Sequence, residues 1–159
     1  MENSAKILLI DDDPDFVAVT KKVLEKGASH QVIVAVNGKE GLEKAKKEKP
    51  DLILLDILMP VTDGFGFAEQ FSKEQSLCNI PVLALTSFST SLGEPFAFEV
   101  AEFIRKPIGP GDLLERIQKH LKRAAGKTEA PAVRVGPKKR KAPARPRAKT
   151  RTKPAKRPS

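Results

Sequence analysis

The chain has 159 residues and a formal net charge of +9, which is room for one domain with a real core and some surplus. Residues 122–159 hold 15 Lys or Arg against the single acid Glu129, whereas residues 1–121 hold 14 basic and 19 acidic residues, so a mildly acidic body precedes a strongly basic tail. One cysteine, Cys78, excludes an intrachain disulfide framework and a four-cysteine zinc site, and no apolar run approaches the ~20 residues that span a bilayer.

In chain order, the Met-Glu-Asn-Ser start has neither a basic segment nor a long apolar run, so no signal peptide is indicated and a cytoplasmic protein is expected. KILLI (6–10) reads as a strand, and Phe16, Val19 and Val23 after it fall on one face of a helix. VIVAV (32–36) is a second strand, and GKEGLEKAKKEK (38–49) a charged helix halted before Pro50. LILL (52–55) and GFGFAEQFSKEQ (64–75) are the third strand and helix, with Phe65 and Phe67 expected in the core. PVLAL (81–85) and EFIR (102–105) are the fourth and fifth strands. DLLERIQKHLKRAA (112–125) closes the series as a helix with Leu114, Ile117 and Leu121 on one face and Asp112 with Glu115 as a capping box. His30 and His120 fit no phosphotransfer pattern and are expected at surface or helix-end positions, and Lys21 and Lys22 on a solvated helix face.

Apolar strands without polar alternation, each followed by a helix, indicate an α/β fold with a parallel sheet covered on both faces. Five such units in about 120 residues suggest a doubly wound sheet of flavodoxin-like order 2-1-3-4-5. Ligands in that architecture bind at the carboxyl ends of the strands, where this sequence keeps its polar residues.

The first strand ends in Asp11, Asp12 and Asp13, with Asp15 beyond Pro14, and the third ends in Asp56. If these strands are neighbours, Asp11, Asp12 and Asp56 converge at one rim, where like charges raise one another's pKa and a cation relieves them. Hard oxygen ligands with open positions suit Mg2+. The alternative is that these acids only cap helices and start turns, as Asp13 and Asp15 are placed to do. The fourth strand ends in Thr86-Ser87 and the fifth in Lys106-Pro107, adding a hydroxyl and an ammonium able to donate to an anion at the same rim.

The set IDDD (10–13), LLDILMPVTDG (54–64), LALTS (83–87) and FIRKP (103–107) resembles the receiver domain of two-component response regulators over roughly residues 5–123. The resemblance implies that Asp56 is the phosphoacceptor and that Asp11 and Asp12, with Asp56 and the backbone carbonyl of Leu58, hold Mg2+. It implies that Thr86 hydrogen-bonds the phosphoryl group, that Lys106 pairs with it, and that Phe103 is an aromatic switch. Pro60, Gly64 and Pro107 would shape the loops around the site. The donor implied is a sensor histidine kinase or a small acyl phosphate, and the output is a changed face around the helix and strand that follow Thr86. The segment between Thr86 and Lys106 departs from the family pattern: Gly93 and Pro95 interrupt a helix there, and Glu99 stands where the family commonly has Gly. A helix in that place is expected to be short, shifted or mobile.

Residues 126–159 form a second region, expected to be disordered, with six prolines, no aromatic residue and only Val133 and Val135 as branched apolar residues. Its cations include Lys138, Lys139, Arg140, Lys141, Arg145, Arg147, Lys149, Arg151, Lys153, Lys156 and Arg157. Such an arm suits polyanions such as DNA or RNA without sequence preference, and its composition resembles the tails of linker histones and some bacterial histone-like proteins. Lacking aromatics, it has no means of stacking on bases. The alternative is a signalling adaptor whose arm docks an acidic protein or the acidic receiver itself. PKKRK (137–141) would read as a nuclear import signal in a eukaryote and as plain basic charge in a bacterium.

Overall fold

Leu52, Ile53, Leu54 and Leu55 are all fully buried, as a strand with helices on both faces requires. They belong to the central strand of a five-stranded parallel sheet in a computed structural model that describes residues 4–57, 64–87 and 100–126. The strands are β1 (Lys6–Ile10), β2 (Gln31–Ala35), β3 (Leu52–Asp56), β4 (Val82–Thr86) and β5 (Glu102–Arg105), in the order β2-β1-β3-β4-β5. The helices are α1 (Pro14–Ala28), α2 (Gly38–Glu48), α3 (Gly64–Ser72) and α4 (Pro110–Gly126), with a short 3-10 turn at Gln75–Leu77.

Alternate residues of each strand serve the two faces. Ile7, Leu9, Leu52, Leu54, Leu83 and Leu85 pack with Leu24 of α1 and with Leu113 and Ile117 of α4. Leu8, Ile10, Ile53, Leu55 and Ala84 pack with Leu42 and Ala45 of α2 and with Phe67 and Phe71 of α3. Helix α2 lies so close to β1 that a Cβ on Gly41 would come within 2.5 Å of Ile10 Cδ1, an approach that glycine permits. The outer strand β2 is covered at its carboxyl end by α2: Lys44 Nζ donates to the Val34 carbonyl, and Glu40 Oε2 accepts from Val36 N at 3.1 Å.

The expected α/β class, sheet order and both-faces covering are those observed. Several local expectations are not. β2 begins and ends one residue earlier than VIVAV, leaving Val36 56% exposed, and β4 runs one residue later than PVLAL, so Thr86 lies inside the strand. The third helix stops at Ser72 rather than at residue 75, and the chain re-forms a separate turn. On α1 the buried residues are Thr20, Leu24 and Ala28, Phe16 packs half-buried against the core, and Val19 is 58% exposed, so the apolar face is turned away from Val19. Asp112 is the third residue of α4, not its cap, because Pro110 takes the first helical position. Both histidines are buried rather than superficial. His30 Nδ1 accepts from Ala5 N at 3.2 Å, and His120 Nε2 lies 2.7 Å from Glu102 Oε2 on β5, which Arg116 also engages. Cys78 is half-buried, and Lys21 is exposed with an i,i+4 contact to Glu25 at 3.8 Å.

Leu58, Pro60, the Gly93–Pro95 segment with Glu99, and the basic tail lie outside the described residues. No helix among the described residues is long and apolar enough to cross a membrane.

Candidate phosphoacceptor and metal site

The register of the sheet builds this site. Ile10 of β1 pairs with Leu55 of β3, so the next residues, Asp11 and Asp56, stand side by side at the carboxyl rim. Asp11 N donates to Ala35 O at 3.1 Å, which extends the β1–β2 ladder one residue beyond the strand and fixes the backbone that carries its carboxylate. Asp56, the last residue of β3, is paired in register with Leu85 of β4, and the buried Thr86 follows Leu85 on that neighbouring strand. Asp56 thus lies between the acidic end of β1 and the hydroxyl-bearing end of β4.

Carboxylate oxygens of Asp11, Asp12 and Asp56 all lie within 4.8 Å of one another. Asp11 has no exposed surface, and each of its oxygens has a partner: Oδ1 accepts from Asp13 N at 2.9 Å, and Oδ2 accepts from Lys106 Nζ at 2.6 Å. Asp12 is exposed. The third member of the triplet is used locally, since Asp13 Oδ1 caps α1 by accepting from Asp15 N at 3.0 Å and Phe16 N at 3.3 Å. The alternatives left open by the sequence therefore divide: Asp13 is a helix cap, while Asp11, Asp12 and Asp56 form the cluster.

Lys106 is delivered by β5. Its backbone N donates to Thr86 O at 2.7 Å, and its side chain, 13% exposed, reaches across the rim to Asp11 and to Asp56 Oδ2 at 3.3 Å. Its ammonium also lies 4.0 Å from the centroid of the Phe16 ring. The Lys106–Pro107 peptide bond is cis. Phe103 is on β5 beside Ala84, 43% exposed, on the sheet face away from α4. Gly64 opens α3.

The electrostatics follow from burial and neighbours. Burial pushes the Asp11 carboxyl above its ordinary pKa and the Asp56 charge adds to this, against the opposing pull of Lys106 and the Asp13 N–H. One ammonium does not balance three carboxylates. The donor set is hard, anionic and partly open to solvent, which suits a small divalent cation that keeps water ligands. It is an acidic cluster typical of the magnesium-binding site of receiver domains.

Two tertiary pairings have little or no signal in the sequence. In the sequence Phe16 marks only the apolar face of a helix, but the first turn after the cap at Asp13 brings its ring to the Lys106 ammonium at the rim. The Glu102, Arg116 and His120 cluster joins the start of β5 to α4, away from the carboxyl rim, and no sequence spacing signals it, because its partners meet only in the tertiary structure.

Comparison with known proteins gives the same assignment. PilH of Pseudomonas aeruginosa (strain PAO1) is 34% identical over 115 residues, covering 71% of this chain and 94% of PilH. The alkaline phosphatase synthesis transcriptional regulatory protein PhoP of Bacillus subtilis (strain 168) is 32% identical over 121 residues, 75% of this chain but 49% of that protein. The chain thus spans about half the length of the first curated relatives it matches. Among solved structures, a CheY-like response regulator receiver domain protein from Methanospirillum hungatei JF-1 superposes with a TM-score of 0.66 at 29% identity, covering 77% of this chain and 98% of that one. The family model of the response regulator receiver domain matches residues 7–118, from β1 into α4 and across every member of the cluster. The chain therefore belongs to the response regulator receiver family, the phosphoacceptor signalling domains of two-component systems that pair with histidine kinases.

Proposed function

We propose that Asp56 is the phosphoacceptor of a magnesium-dependent phosphorelay and that the basic tail binds nucleic acid without sequence preference. The observation that carries the first part is the bridge from Lys106 to both Asp11 and Asp56, which sets one cation between a carboxylate for metal and a carboxylate for chemistry. Asp11 is the poorer nucleophile, being fully buried with both oxygens engaged, and Asp12 is exposed beyond the end of β1. Asp56 is central, and a group attached to it would lie within reach of the ends of β1, β4 and β5.

On this reading, an Asp56 carboxylate oxygen attacks phosphorus in line. The new O–P bond forms as the donor's P–N bond to histidine, or P–O bond to an acyl group, breaks and returns its electron pair to the donor. Mg2+, held by Asp11, Asp12, Asp56 and the Leu58 carbonyl, would offset charge on the phosphoryl oxygens. Lys106 exchanges its Asp56 contact for a phosphoryl oxygen, and Thr86 donates its hydroxyl proton to another. The inward movement of Thr86 leaves room for Phe103, which is exposed on β5 before the reaction, to turn in and alter the surface beside it. Water later hydrolyses the acyl phosphate.

Acetyl phosphate with Mg2+ should add one acid-stable, alkali-labile phosphate to the wild type and none to Asp56→Asn. Equal labelling of both would remove Asp56 from the mechanism.

The tail reading rests on the charge contrast between residues 1–125 and 126–159, taken as a receiver and a basic arm. With Lys138, Lys139, Arg140 and Lys141 as its densest run, the arm should bind duplex DNA with a salt slope of ~0.9 per phosphate contact. The full chain and residues 1–125 are to be compared across a salt series. Equal binding would end the nucleic-acid reading and favour the second one, in which the arm docks an acidic protein or the receiver's own acidic body.

A further inference from the structure

We infer that Phe16 positions the Lys106 ammonium, serving as an uncharged partner of a cation whose charged partners change as the reaction proceeds. The inference rests on the reading of Asp56 as phosphoacceptor. Lysine is a compact point charge on a flexible four-carbon stem, so contacts to carboxylates alone do not fix its place. Here the Lys106 Nζ has Asp11 Oδ2 at 2.6 Å, Asp56 Oδ2 at 3.3 Å and the Phe16 ring centroid at 4.0 Å. The first contact draws the ammonium toward β1, and the second is altered once Asp56 carries a phosphoryl group. The ring face attracts the cation throughout and carries no charge that competes with the phosphoryl oxygens. Because the Lys106 side chain is only 13% exposed, that attraction is little screened by water.

The ring is itself held in place. Pro14 opens α1 and Asp13 caps it, with the Phe16 N–H bonded to Asp13 Oδ1 at 3.3 Å. The Phe16 side chain packs against the layer formed by Ile7, Leu9 and Leu24. The third acid of the triplet therefore acts on the site at one remove, through the first turn of α1 and the aromatic ring that turn carries.

The test separates positioning from packing. Phe16→Leu keeps apolar bulk and loses the ring, and Phe16→Tyr keeps the ring. Without metal or phosphodonor, the Lys106 Cε and Hε resonances should show an upfield ring-current shift in the wild type and in Phe16→Tyr, lost in Phe16→Leu. With acetyl phosphate and Mg2+, Phe16→Leu should be phosphorylated about fivefold more slowly, Phe16→Tyr close to the wild-type rate. In a Lys106→Ala background, Phe16→Leu should cause no further slowing. An unshifted Lys106 signal in the wild type overturns the inference. So does an equal slowing by Phe16→Leu with or without Lys106, which would mark Phe16 as packing alone. If the wild type takes no phosphate, the Asp56 reading falls on its own, and the Lys106 resonances still decide whether the ring holds the ammonium.

Discussion

Lys106 Nζ lies 3.3 Å from Asp56 Oδ2, joining residues fifty positions apart, and the same ammonium holds the buried Asp11. The sheet order makes this meeting possible, because β1, β3 and β4 bring their ends together and β5 adds the lysine at the edge. Removing the cation would leave a buried carboxylate facing another with nothing between them. Lys106→Met is expected to cost about 3 kcal/mol of stability in magnesium-free buffer, read by urea denaturation. Added Mg2+ should raise the unfolding midpoint more for this variant than for the wild type, because the ion then supplies the only positive charge in the cluster.

Asp13 is assigned to the helix rather than the metal, and this has a separate consequence. Asp13→Ala removes the acceptor for the Asp15 and Phe16 N–H groups and should destabilise the fold by about 1 kcal/mol. Magnesium affinity, measured by calorimetry, should change far less than it does in Asp12→Asn. A loss of affinity in Asp13→Ala equal to that in Asp12→Asn would place Asp13 among the ligands.

His120 gives the fold a pH dependence on its acid side. Burial, and then the charges of Lys119, Arg123 and Arg116 on its own helix, hold its pKa below the ordinary 6.5. Glu102 on β5 favours the imidazolium, but Arg116 engages the same carboxylate and weakens that pull. The unfolded chain therefore binds the proton first. Stability from this group is complete above about pH 6.5 and declines as pH falls from there to the folded-state pKa. His120→Gln keeps a donor toward Glu102 without titrating, so its denaturation midpoint should be flatter than the wild type's across that interval.

The inner strands were legible because burial on both faces leaves little choice of residue: KILLI and LILL read directly as elements of a parallel sheet. The convergence of Asp11, Asp12 and Asp56 followed from their places at strand ends together with the strand order. The phase of an amphipathic helix was less legible. On α1, Val19 scores as more apolar than Thr20, yet Thr20 is buried and Val19 exposed, because α1 is oriented by Leu24 and Ala28 against the sheet. On α4, the expected stripe packs on the core, Ile117 fully buried and Leu114 and Leu121 partly, but Leu113 and His120 are buried beside it. A buried histidine depends on its tertiary partner, and Glu102 lies eighteen residues earlier on a strand. The pairing of Phe16 with Lys106 was hidden for the same reason, since it joins the first turn of one element to the end of another.

The central claim is that one carboxylate of the three is covalently modified. The most direct measurement treats the chain with acetyl phosphate and Mg2+, reduces the acyl phosphate with borohydride, and maps the reduced residue by peptide mass spectrometry. Reduction confined to position 56, and dependent on Mg2+, is the expected result. Reduction at Asp11 or Asp12, or none at any of the three, would contradict the account.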